Sequence, residues 1–552
     1  MARVIPGIGS TERPSRDLLA VRAAATPDDL ALIDVATGEE WTYEDFDRRV
    51  DRAARALTEL GDDVGDGTQL ERLGLLVDTR PAFTVVFFAA MRTGTTVVPL
   101  NVRETVTELA EKVERTGLEA IVCERDTAAT ALDLADRAEM VVASIDEVGG
   151  VDGVGGVGGV DGIDEVKSDR VRSLAGATEA SGPGSVDSLE RSAPPEIDPE
   201  ATQLLMFTSG TSGDPKAVRL TVSNLVASAT ASAFRLGIDR EDRWLCCLPM
   251  YHMGGLAPVV RSTLYGTTVV VQREFEPDAT ARVLATYDIT GVSLVPTMCK
   301  RLLEREGGWR PPETLRFVLL GGAPATQELL ERCLENEIPV YPTYGMTETA
   351  SQVATATPEA VRSHEGTVGR PLVGSEVTVV DDDGEPVAPG EPGELVVAGP
   401  TVTPGYLEPE VTEEAFGDRG LYTGDVGYRD TGGRLWILNR RSDRIVTGGE
   451  NVDPGEVVDA LRTHSSVAEA AVVGLPDDEW GERVAAVVVP AGDGIEYASV
   501  LESCEERLAG FKRPKTLAVV DELPRTASGT VDREAVRNLL LEDGVNVSDA
   551  HR

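Results

Sequence analysis

Short apolar runs of about five residues recur along most of this 552-residue chain, and they alternate with amphipathic segments of helical period. Two of these runs lie within residues 20–143, and five more follow residue 199. Buried strands that alternate with helices are typical of a sheet covered by helices. The pattern therefore predicts a layered α/β fold. The runs occupy residues 73–77, 96–100, 203–207, 244–248, 267–271, 291–295 and 316–320.

The pattern changes in the last third of the chain. Between residues 374 and 399, short strands are broken by the turns DDDGEP and PGEPG, which is typical of an antiparallel or barrel-like unit. A smaller α+β region follows, and we expect an N-terminal domain of residues 1–438 and a C-terminal domain of residues 439–552. In the second domain we predict helices near 454–462 and 497–508 and strands at 470–473 and 484–489.

One segment has a composition that does not support a hydrophobic core. From about residue 148 to residue 199 the chain is rich in Gly, Ser, Asp and Glu and has almost no aromatic residues. Such a composition cannot bury enough apolar surface to offset the entropy of ordering. We therefore expect a disordered Gly-rich and acidic insertion within the N-terminal domain.

The chain is strongly acidic, with 94 acidic and 52 basic residues and a formal charge of -42. This charge repels nucleic acids and anionic membrane surfaces, so neither is an expected partner. Lysine is rare, and arginine carries most of the positive charge. We interpret this acidic, lysine-poor composition as a halophilic surface, adapted to high salt, because salt screens the repulsion between carboxylates. A hydrophobic fraction of 41% argues against an acidic disordered protein.

The remaining compositional features concern location and cysteines. The longest apolar runs are too short to cross a bilayer, and we expect a cytoplasmic protein without a membrane span. The six cysteines are scattered without paired spacing, which favours reduced, mostly buried thiols over a zinc site or a disulfide framework.

The strongest local motif is TSGTSGDPK, which follows the apolar run QLLMF. Its hydroxyls and backbone N–H groups suit phosphate oxygens, and Lys216 adds a positive charge. It differs from a Walker A loop, because Pro215 and Ala217 flank the lysine. The motif therefore predicts a phosphate-binding loop of a different class. Besides Lys216, the candidate residues are Thr208, Ser209, Gly210, Thr211, Ser212 and Gly213.

Several further motifs occur in a fixed order: LPMYHMGG, LLGGAP, YPTYGMTETASQ, GTVGRP, YTGDVG, NRRSDRIVTGGENVDPGEV and LPRTASGTVDREAV. Together with the phosphate loop, they resemble the adenylate-forming superfamily, which includes acyl-CoA synthetases. The resemblance covers nearly the whole chain outside the insertion. It implies a large N-terminal domain of two α/β subdomains and a barrel-like unit, followed by a small mobile C-terminal domain. It also implies an acid-thiol ligase that uses ATP, Mg²⁺ and coenzyme A.

The resemblance assigns roles to residues of these motifs. Tyr344 stacks on adenine next to Gly345, Thr347 contacts phosphate, and Glu348 holds Mg²⁺, a cation that prefers oxygen ligands. Asp425 accepts hydrogen bonds from the ribose hydroxyls, which suits the two oxygens of a carboxylate. The small residues Gly321, Gly322 and Ala323 let the backbone approach the base, and Arg440 reaches the nucleotide.

The segment CCLPMYHMGGLAPVVRSTLYG contains two candidate contacts of the acid substrate, His252 and Arg261. His252 is either an ordinary core histidine or, as the resemblance implies, a residue near the attacking carboxylate and the CoA channel. Arg261 lies in an apolar helical stretch, where a charge is costly unless paired. It either reaches the surface along its aliphatic stem or binds a second carboxylate of the substrate.

Arg261 and the segments TYGMTETASQVAT and LVPTM resemble one subfamily, the o-succinylbenzoate:CoA ligases of menaquinone biosynthesis. There Arg261 would hold the aromatic carboxylate while the aliphatic one is activated. Three alternatives remain open: another acid:CoA ligase that acts on aryl or medium-chain acids, a non-catalytic nucleotide- or acyl-binding homologue, and a carrier-protein thiol in place of CoA. A homo-oligomer is also possible.

The chain departs from the superfamily near its C-terminus. Members carry a lysine in PRTASGK that reaches the α-phosphate, whereas Thr530 stands at that position here. A neutral hydroxyl cannot replace the charge, so Arg525, Arg533, Lys512 or Lys515 supplies it, or adenylation is weak. We favour a nearby cation. The usual hinge acid is replaced by Ser442, a minor change because a hinge needs only tolerant backbone torsions.

Overall fold

A computed structural model provides the structure of the chain. It describes residues 16–64, 69–138, 140–146, 171–174, 196–208, 215–306, 308–440, 445–447, 450–452, 454–477, 480–492, 494–505, 507–526 and 531–547.

The described residues up to Thr221 form nine strands and five helices. Strand β8 and five others run parallel in a seven-stranded sheet, and β9 pairs antiparallel with β8 at its edge. The strands are β1 Leu30–Asp34, β2 Glu40–Thr42, β3 Arg72–Leu76, β4 Thr96–Pro99, β5 Ala120–Cys123, β6 Val141–Ser144, β7 Val171–Ser173, β8 Thr202–Phe207 and β9 Ala217–Thr221. The helices are α1 Leu18–Ala25, α2 Tyr43–Val64, α3 Pro81–Thr93, α4 Val106–Thr116 and α5 Ala128–Ala138. The sheet order is β7-β6-β5-β3-β4-β8-β9.

The next part of the chain builds a nine-stranded sheet, which β1 and β2 complete at one edge. Its central strands are parallel, because each is followed by a crossover helix. The strands are β10 Arg243–Cys246, β11 Thr268–Val271, β12 Gly291–Leu294, β13 Phe317–Leu320, β14 Val340–Met346, β15 Ser351–Thr355 and β16 Arg370–Pro371. The helices are α6 Val222–Leu236, α7 Met253–Tyr265, α8 Pro277–Thr286, α9 Pro296–Leu303, α10 Gln327–Glu335 and α11 Pro358–Ser363. The order is β16-β15-β14-β13-β12-β10-β11-β1-β2.

The two sheets share one apolar core. Residues of β3, β4 and β8 from one sheet and of β1 and β11 from the other belong to the same buried cluster. The aromatic side chains of Phe46, Phe83 and Phe88, from α2 and α3, fill this layer. The prediction of two layered α/β subdomains is therefore confirmed, and the predicted strands match β3, β4, β8 and β10–β13 within a few residues.

A third sheet of five antiparallel strands follows. It contains β17 Glu376–Val380, β18 Gly393–Ala398, β19 Phe416–Gly417, β20 Gly420–Arg429 and β21 Leu435–Arg440, and α12 Pro409–Ala415 precedes β19. The order is β17-β18-β20-β19, with β21 paired to β20. This sheet confirms the antiparallel unit that the two turn motifs predict.

The C-terminal region forms a separate mixed sheet with its own core, to which Val457, Leu461 and Leu517 belong. The predicted helix at residues 454–462 is present, and the predicted helix at 497–508 ends at Glu505. The strands are β22 Ile445–Thr447, β23 Glu450–Val452, β24 Val467–Asp477, β25 Gly481–Pro490, β26 Thr516–Val519 and β27 Val545–Asn546, and the helices are α13 Pro454–Arg462, α14 Tyr497–Glu505 and α15 Arg533–Asp543. The order is β23-β22-β25-β26-β27, with β24 paired to β25.

The predicted insertion needs one correction. Most of residues 148–199 lie outside the described residues, but β7 belongs to this segment and pairs parallel with β6 at the edge of the seven-stranded sheet. The backbone of Val171–Ser173 gains ladder hydrogen bonds there, which its composition alone does not reveal. Across the described ranges, no helix is both long and apolar enough to span a bilayer.

Candidate active site

The two ends of the predicted phosphate loop lie side by side. Strand β8 ends at Phe207 and β9 begins opposite it at Ala217. The backbone N–H of Thr208 donates to the carbonyl of Lys216 at 3.0 Å, and the N–H of Lys216 donates to Oγ1 of Thr208 at 3.2 Å. These bonds hold the predicted phosphate ligand Lys216 at the mouth of the loop. The loop residues Ser209, Gly210, Thr211, Ser212 and Gly213 lie outside the described residues.

Tyr406 joins Lys216 to Glu348. Its hydroxyl donates a 3.0 Å hydrogen bond to Oε1 of Glu348, and the Nζ of Lys216 lies 5.4 Å from the centre of its ring. Glu348 is 8% exposed. Burial raises the pKa of its carboxyl above the usual range, while the Tyr406 hydroxyl and the positive charges of Arg440 and Lys216 oppose the rise. The structure thus shows two charged candidate residues, Lys216 and Glu348, in contact with one phenol.

The turn that carries Glu348 is tight and locally strained. A Cβ on Gly345 would lie 1.8 Å from the carbonyl oxygen of Ser351, so only glycine fits there. Ala350 and Ser351 have positive φ angles of 51° and 126°, which L-residues adopt at a cost. Thr347 and Glu348 occupy the 3₁₀ turn between these residues, and Thr347 is half-buried.

Tyr344 and Arg440 both bind the carboxylate of Asp425. The phenol of Tyr344 donates to Oδ2 at 2.7 Å, and Nε of Arg440 donates to Oδ1 at 3.1 Å. Burial, followed by the charge of Asp425, raises the pKa of Tyr344 well above its usual range, so the phenol stays protonated. The predicted adenine, ribose and nucleotide contacts therefore form one hydrogen-bonded group.

Gly321 and Gly322 follow β13 directly and lie beside β14. A Cβ on Gly321 would lie 2.7 Å from Cγ2 of Thr343, the residue before Tyr344. Gly322 has a φ of 81°, and its backbone and that of Ala323 are at least partly exposed. The predicted close approach of a ligand to this backbone is therefore sterically possible next to Tyr344.

His252 caps the N-terminus of α7 through its backbone carbonyl, which accepts from Gly255 and Leu256. Burial, followed by the charges of Lys112 and Arg103, lowers the pKa of its imidazole to about 4. The ring contacts Tyr251, with centroids 4.9 Å apart, and no hydrogen bond joins it to the other described candidate residues. At neutral pH His252 is therefore a neutral imidazole, which can exchange a hydrogen bond but adds no charge.

Arg261 lies in the same helix and is only 2% exposed, so the surface alternative is wrong. Its Nη2 donates to Oγ of Ser351 at 3.1 Å, and its guanidinium lies 5.1 Å from the ring of Trp244. Its buried Nε has no hydrogen-bond partner, and no carboxylate among the described residues pairs with it. Burial accordingly lowers the pKa of Arg261. The arginine also lines a small cavity of about 10 Å³ next to Ala350.

Thr530 lies outside the described residues, but its four candidate substitutes do not. Lys512 binds Glu456, Lys515 lies 4.3 Å from the ring centre of Trp480, and Arg533 donates weakly to the carbonyl of Val472. Arg525 directly precedes the segment with Thr530. Its Nη2 donates to Oε2 of Glu469 at 2.8 Å, while Lys300 of helix α9 donates to Oε1 at 3.3 Å.

Sequence reasoning did not identify Tyr406 as a site residue. It lies in PGYLEPE, where a glycine and two prolines give an ordinary turn signal and nothing marks the aromatic ring. Its partner Glu348 is 58 positions away, and its contact with Lys216 spans an even longer separation.

Comparisons with known proteins identify the family of this chain. The sequence model of the AMP-binding enzyme family matches residues 19–407, and that of the AMP-binding enzyme C-terminal domain matches residues 456–530. A 2-succinylbenzoate--CoA ligase of Bacillus cereus is 43% identical over 354 residues, which are 64% of this chain and 73% of the relative.

Two solved structures of the o-succinylbenzoate CoA synthetase from Bacillus subtilis are similar over nearly their full length, at 32% identity. The complex with the acyl-adenylate intermediate has a TM-score of 0.78, with 95% of this chain and 98% of that chain covered. The complex of a double mutant with a product analogue has a TM-score of 0.64, with 96% and 99% covered. On these matches, the chain belongs to the family of AMP-binding enzymes.

Proposed function

We propose that this chain is an ATP-dependent o-succinylbenzoate:CoA ligase of menaquinone biosynthesis. Relatives with that activity in their names match most of the chain. The observation that carries the ligase chemistry is the arrangement of Lys216, Tyr406 and Glu348 beside the Asp425 group. This arrangement supports the proposal, because it brings together cationic and anionic side chains of the kinds that bind a nucleotide triphosphate and a metal ion.

In the first half-reaction, an oxygen of the substrate carboxylate attacks the α-phosphorus of ATP in line with the leaving group. A bond forms between that oxygen and phosphorus, the bond to the β-phosphate bridging oxygen breaks, and pyrophosphate leaves with the electron pair. The side chains need only position the reactants and stabilise charge. Lys216 and the loop from Thr208 bind phosphate oxygens, while Tyr344, Gly345 and the 321–323 backbone hold the base.

Glu348 suits a magnesium ion that is shared with the nucleotide. Its Oε1 accepts from the Tyr406 hydroxyl, and the carboxylate also accepts from the backbone N–H of Glu348. Over the ranges that are described, no cluster of three or more metal-binding side chains occurs. Mg²⁺ commonly takes one or two carboxylates and completes its shell with phosphates and water, so one carboxylate is sufficient. Bound there, Mg²⁺ would neutralise charge on the phosphates.

In the second half-reaction, the CoA thiolate attacks the acyl carbon, and AMP leaves. We place the acid beside His252, whose neutral imidazole can hydrogen-bond to the carboxylate without competing for phosphate. CoA is supported as the acceptor by a basic segment around Lys512 and Lys515, with the exposed ring of Trp480 against Lys515. Cations and an exposed aromatic ring suit a phosphorylated nucleotide.

The choice of acid depends on Arg261. A fully buried guanidinium without a carboxylate partner is costly, and a second carboxylate on the substrate would supply that partner. Helix α7 carries Arg261 nine residues after His252, which corresponds to about 13 Å along the helix axis. An acid with two separated carboxylates could therefore contact both His252 and Arg261. Because the cavity at Arg261 is small, its lining residues would separate when the acid binds.

Several finer features complete this proposal. We assign residues 1–438 and 439–552 to the two domains, with a pivot at residues 440–443 between the half-reactions. Of this pivot only Arg440 lies within the described residues. We also propose that the enzyme is cytoplasmic, that its acidic surface is adapted to high salt, and that it can form a homo-oligomer.

Exchange of labelled pyrophosphate into ATP tests the proposal directly. Purified protein at high salt should catalyse exchange with o-succinylbenzoate, and adding CoA should yield o-succinylbenzoyl-CoA and AMP. Benzoate and medium-chain fatty acids should support little exchange. Exchange only with a monocarboxylic acid would instead indicate an aryl or medium-chain ligase. Absence of exchange with every acid, despite ATP binding, would favour a non-catalytic homologue.

A further inference from the structure

The side chain of Tyr406 contacts both Lys216 and Glu348. We propose that it is a positioning residue, which orients the Glu348 carboxylate through its hydroxyl and separates that carboxylate from Lys216 through its ring. This inference deepens the proposed function, because it concerns the adenylation site of the same reaction.

The backbone around Tyr406 is held on two sides. Its N–H donates to Oγ1 of Thr412 at 2.8 Å, and the N–H of the next residue, Leu407, donates to the carbonyl of Ala217. On the other side of Gly405, Oγ1 of Thr403 donates to the carbonyl of Gly405, while the N–H of Thr403 donates to the carbonyl of Glu348. One short segment thus anchors to the end of the phosphate loop and to the turn that carries Glu348.

The hydroxyl of Tyr406 can donate a hydrogen bond to Glu348 at every physiological pH. Tyr406 is 5% exposed, and burial followed by the charge of Glu348 raises the pKa of its phenol far above the usual range. The phenol therefore remains a donor, and its bond fixes Oε1 of the carboxylate. The backbone N–H of Glu348 also donates to this carboxylate, so its orientation is fixed, and its remaining lone pairs can bind an external cation.

The ring has a separate effect. Lys216 and Glu348 carry opposite charges, yet within the described part of the chain they form no direct ion pair. The ammonium faces the ring instead, an interaction that keeps its charge available. A direct pair would neutralise both groups before the nucleotide and its metal arrive. The ring therefore keeps Lys216 available to phosphate and Glu348 available to Mg²⁺.

Two substitutions separate these effects. Tyr406→Phe keeps the ring and removes the donor, so the pKa of Glu348 should rise and the acidic limb of the pyrophosphate-exchange profile should move to higher pH. The lost bond to a charged acceptor is worth about 1.5–3 kcal/mol, which corresponds to a decrease of about 10- to 150-fold in exchange rate. The Mg²⁺ concentration for half-maximal exchange should increase as well. Tyr406→Leu removes the ring, so Lys216 and Glu348 should pair and the acidic limb should move to lower pH.

A matched control and a readout without turnover complete the experiment. Tyr43→Phe also removes a buried hydroxyl, which lies 2.8 Å and 2.7 Å from the carbonyls of Ser262 and Thr267. It should lower thermal stability without moving the pH profile or the Mg²⁺ dependence. Infrared titration of the unliganded protein, with the Glu348→Gln spectrum subtracted, should show the same opposite shifts of the Glu348 carboxyl in the two Tyr406 variants.

The infrared titration also tests the role of Tyr406 independently of the proposed reaction, because it needs no turnover. If the wild-type protein catalysed no exchange with any acid, the proposed function would fail while the carboxyl shifts could still be measured. An unchanged Glu348 titration in both Tyr406 variants would overturn the positioning role, as would an unchanged pH profile and Mg²⁺ dependence in an active enzyme.

Discussion

Asp425 and Arg440 face each other on neighbouring antiparallel strands, and the guanidinium donates to one carboxylate oxygen while Tyr344 donates to the other. Asp425 is buried, whereas the side chain of Arg440 is 43% exposed. A carboxylate can accept several hydrogen bonds at once, which suits the ribose contact predicted for Asp425. The same carboxylate thereby links the aromatic ring predicted to hold the base with the last described residue before the domain junction.

Replacing Asp425 with Asn should weaken AMP binding about 10- to 150-fold. The substitution removes the negative charge to which Tyr344 and Arg440 donate. Hydrogen bonds to a charged group contribute about 1.5–3 kcal/mol. Isothermal calorimetry with AMP measures this effect. Asp430→Asn is the control, because Asp430 pairs with Arg434 at 2.9 Å in the turn between β20 and β21 and contacts none of the described site residues. Equal affinities for both variants would contradict the assigned role of Asp425.

Glu348→Gln should abolish most adenylation and yet stabilise the protein at neutral pH. Burial raises the pKa of Glu348, so the folded protein holds this proton more tightly than the unfolded chain does. Ionisation therefore lowers stability as pH rises from the ordinary carboxyl range through the raised pKa. Below that range the wild-type carboxyl is protonated in both states, and the stability advantage of Gln should disappear.

Denaturant unfolding of both proteins across pH measures this advantage, and pyrophosphate exchange measures the activity. The opposite pH trend, with wild-type stability rising relative to the variant through the same range, would show that Glu348 is stabilised as an anion in the free protein.

Arg261→Met should discriminate between acids without unfolding the protein. Replacing an unpaired buried charge with an apolar side chain of similar length is often neutral or stabilising. If Arg261 binds a second carboxylate, the KM for o-succinylbenzoate should rise about 10- to 150-fold, the range for a lost bond to a charged group. A monocarboxylic acid with residual activity should show little change. A uniform loss with both acids would place Arg261 in a purely structural role.

Arg525→Gln should lower pyrophosphate exchange if this residue supplies the charge that Thr530 lacks. Adding Thr530→Lys to that variant should restore exchange, because a cation would return to the same segment. Glu469→Gln serves as the control, since it breaks the contact with Arg525 and Lys300 but leaves both positive charges. Similar losses in the Arg525 and Glu469 variants would indicate that the contact itself matters, and not the charge.

Much of the architecture follows from local patterns. The apolar runs predict seven strands of the two large sheets, β3, β4, β8 and β10–β13, because a strand buried on both faces must be apolar along its length. The turn motifs likewise predict the antiparallel sheet. Strand β7 was missed, since three residues of mixed polarity become a strand only by pairing with an existing edge.

For the site, the sequence by itself determined the family and predicted the phosphate loop and the nucleotide residues, since these depend on short motifs in order. The tertiary structure decided what those residues contact. Only it shows that Tyr406 links Lys216 to Glu348, and that Arg261 is buried against Ser351 without a described carboxylate partner. Such relationships join residues that are tens of positions or more apart, and the packing of sheets and turns brings them together in ways that no local pattern records.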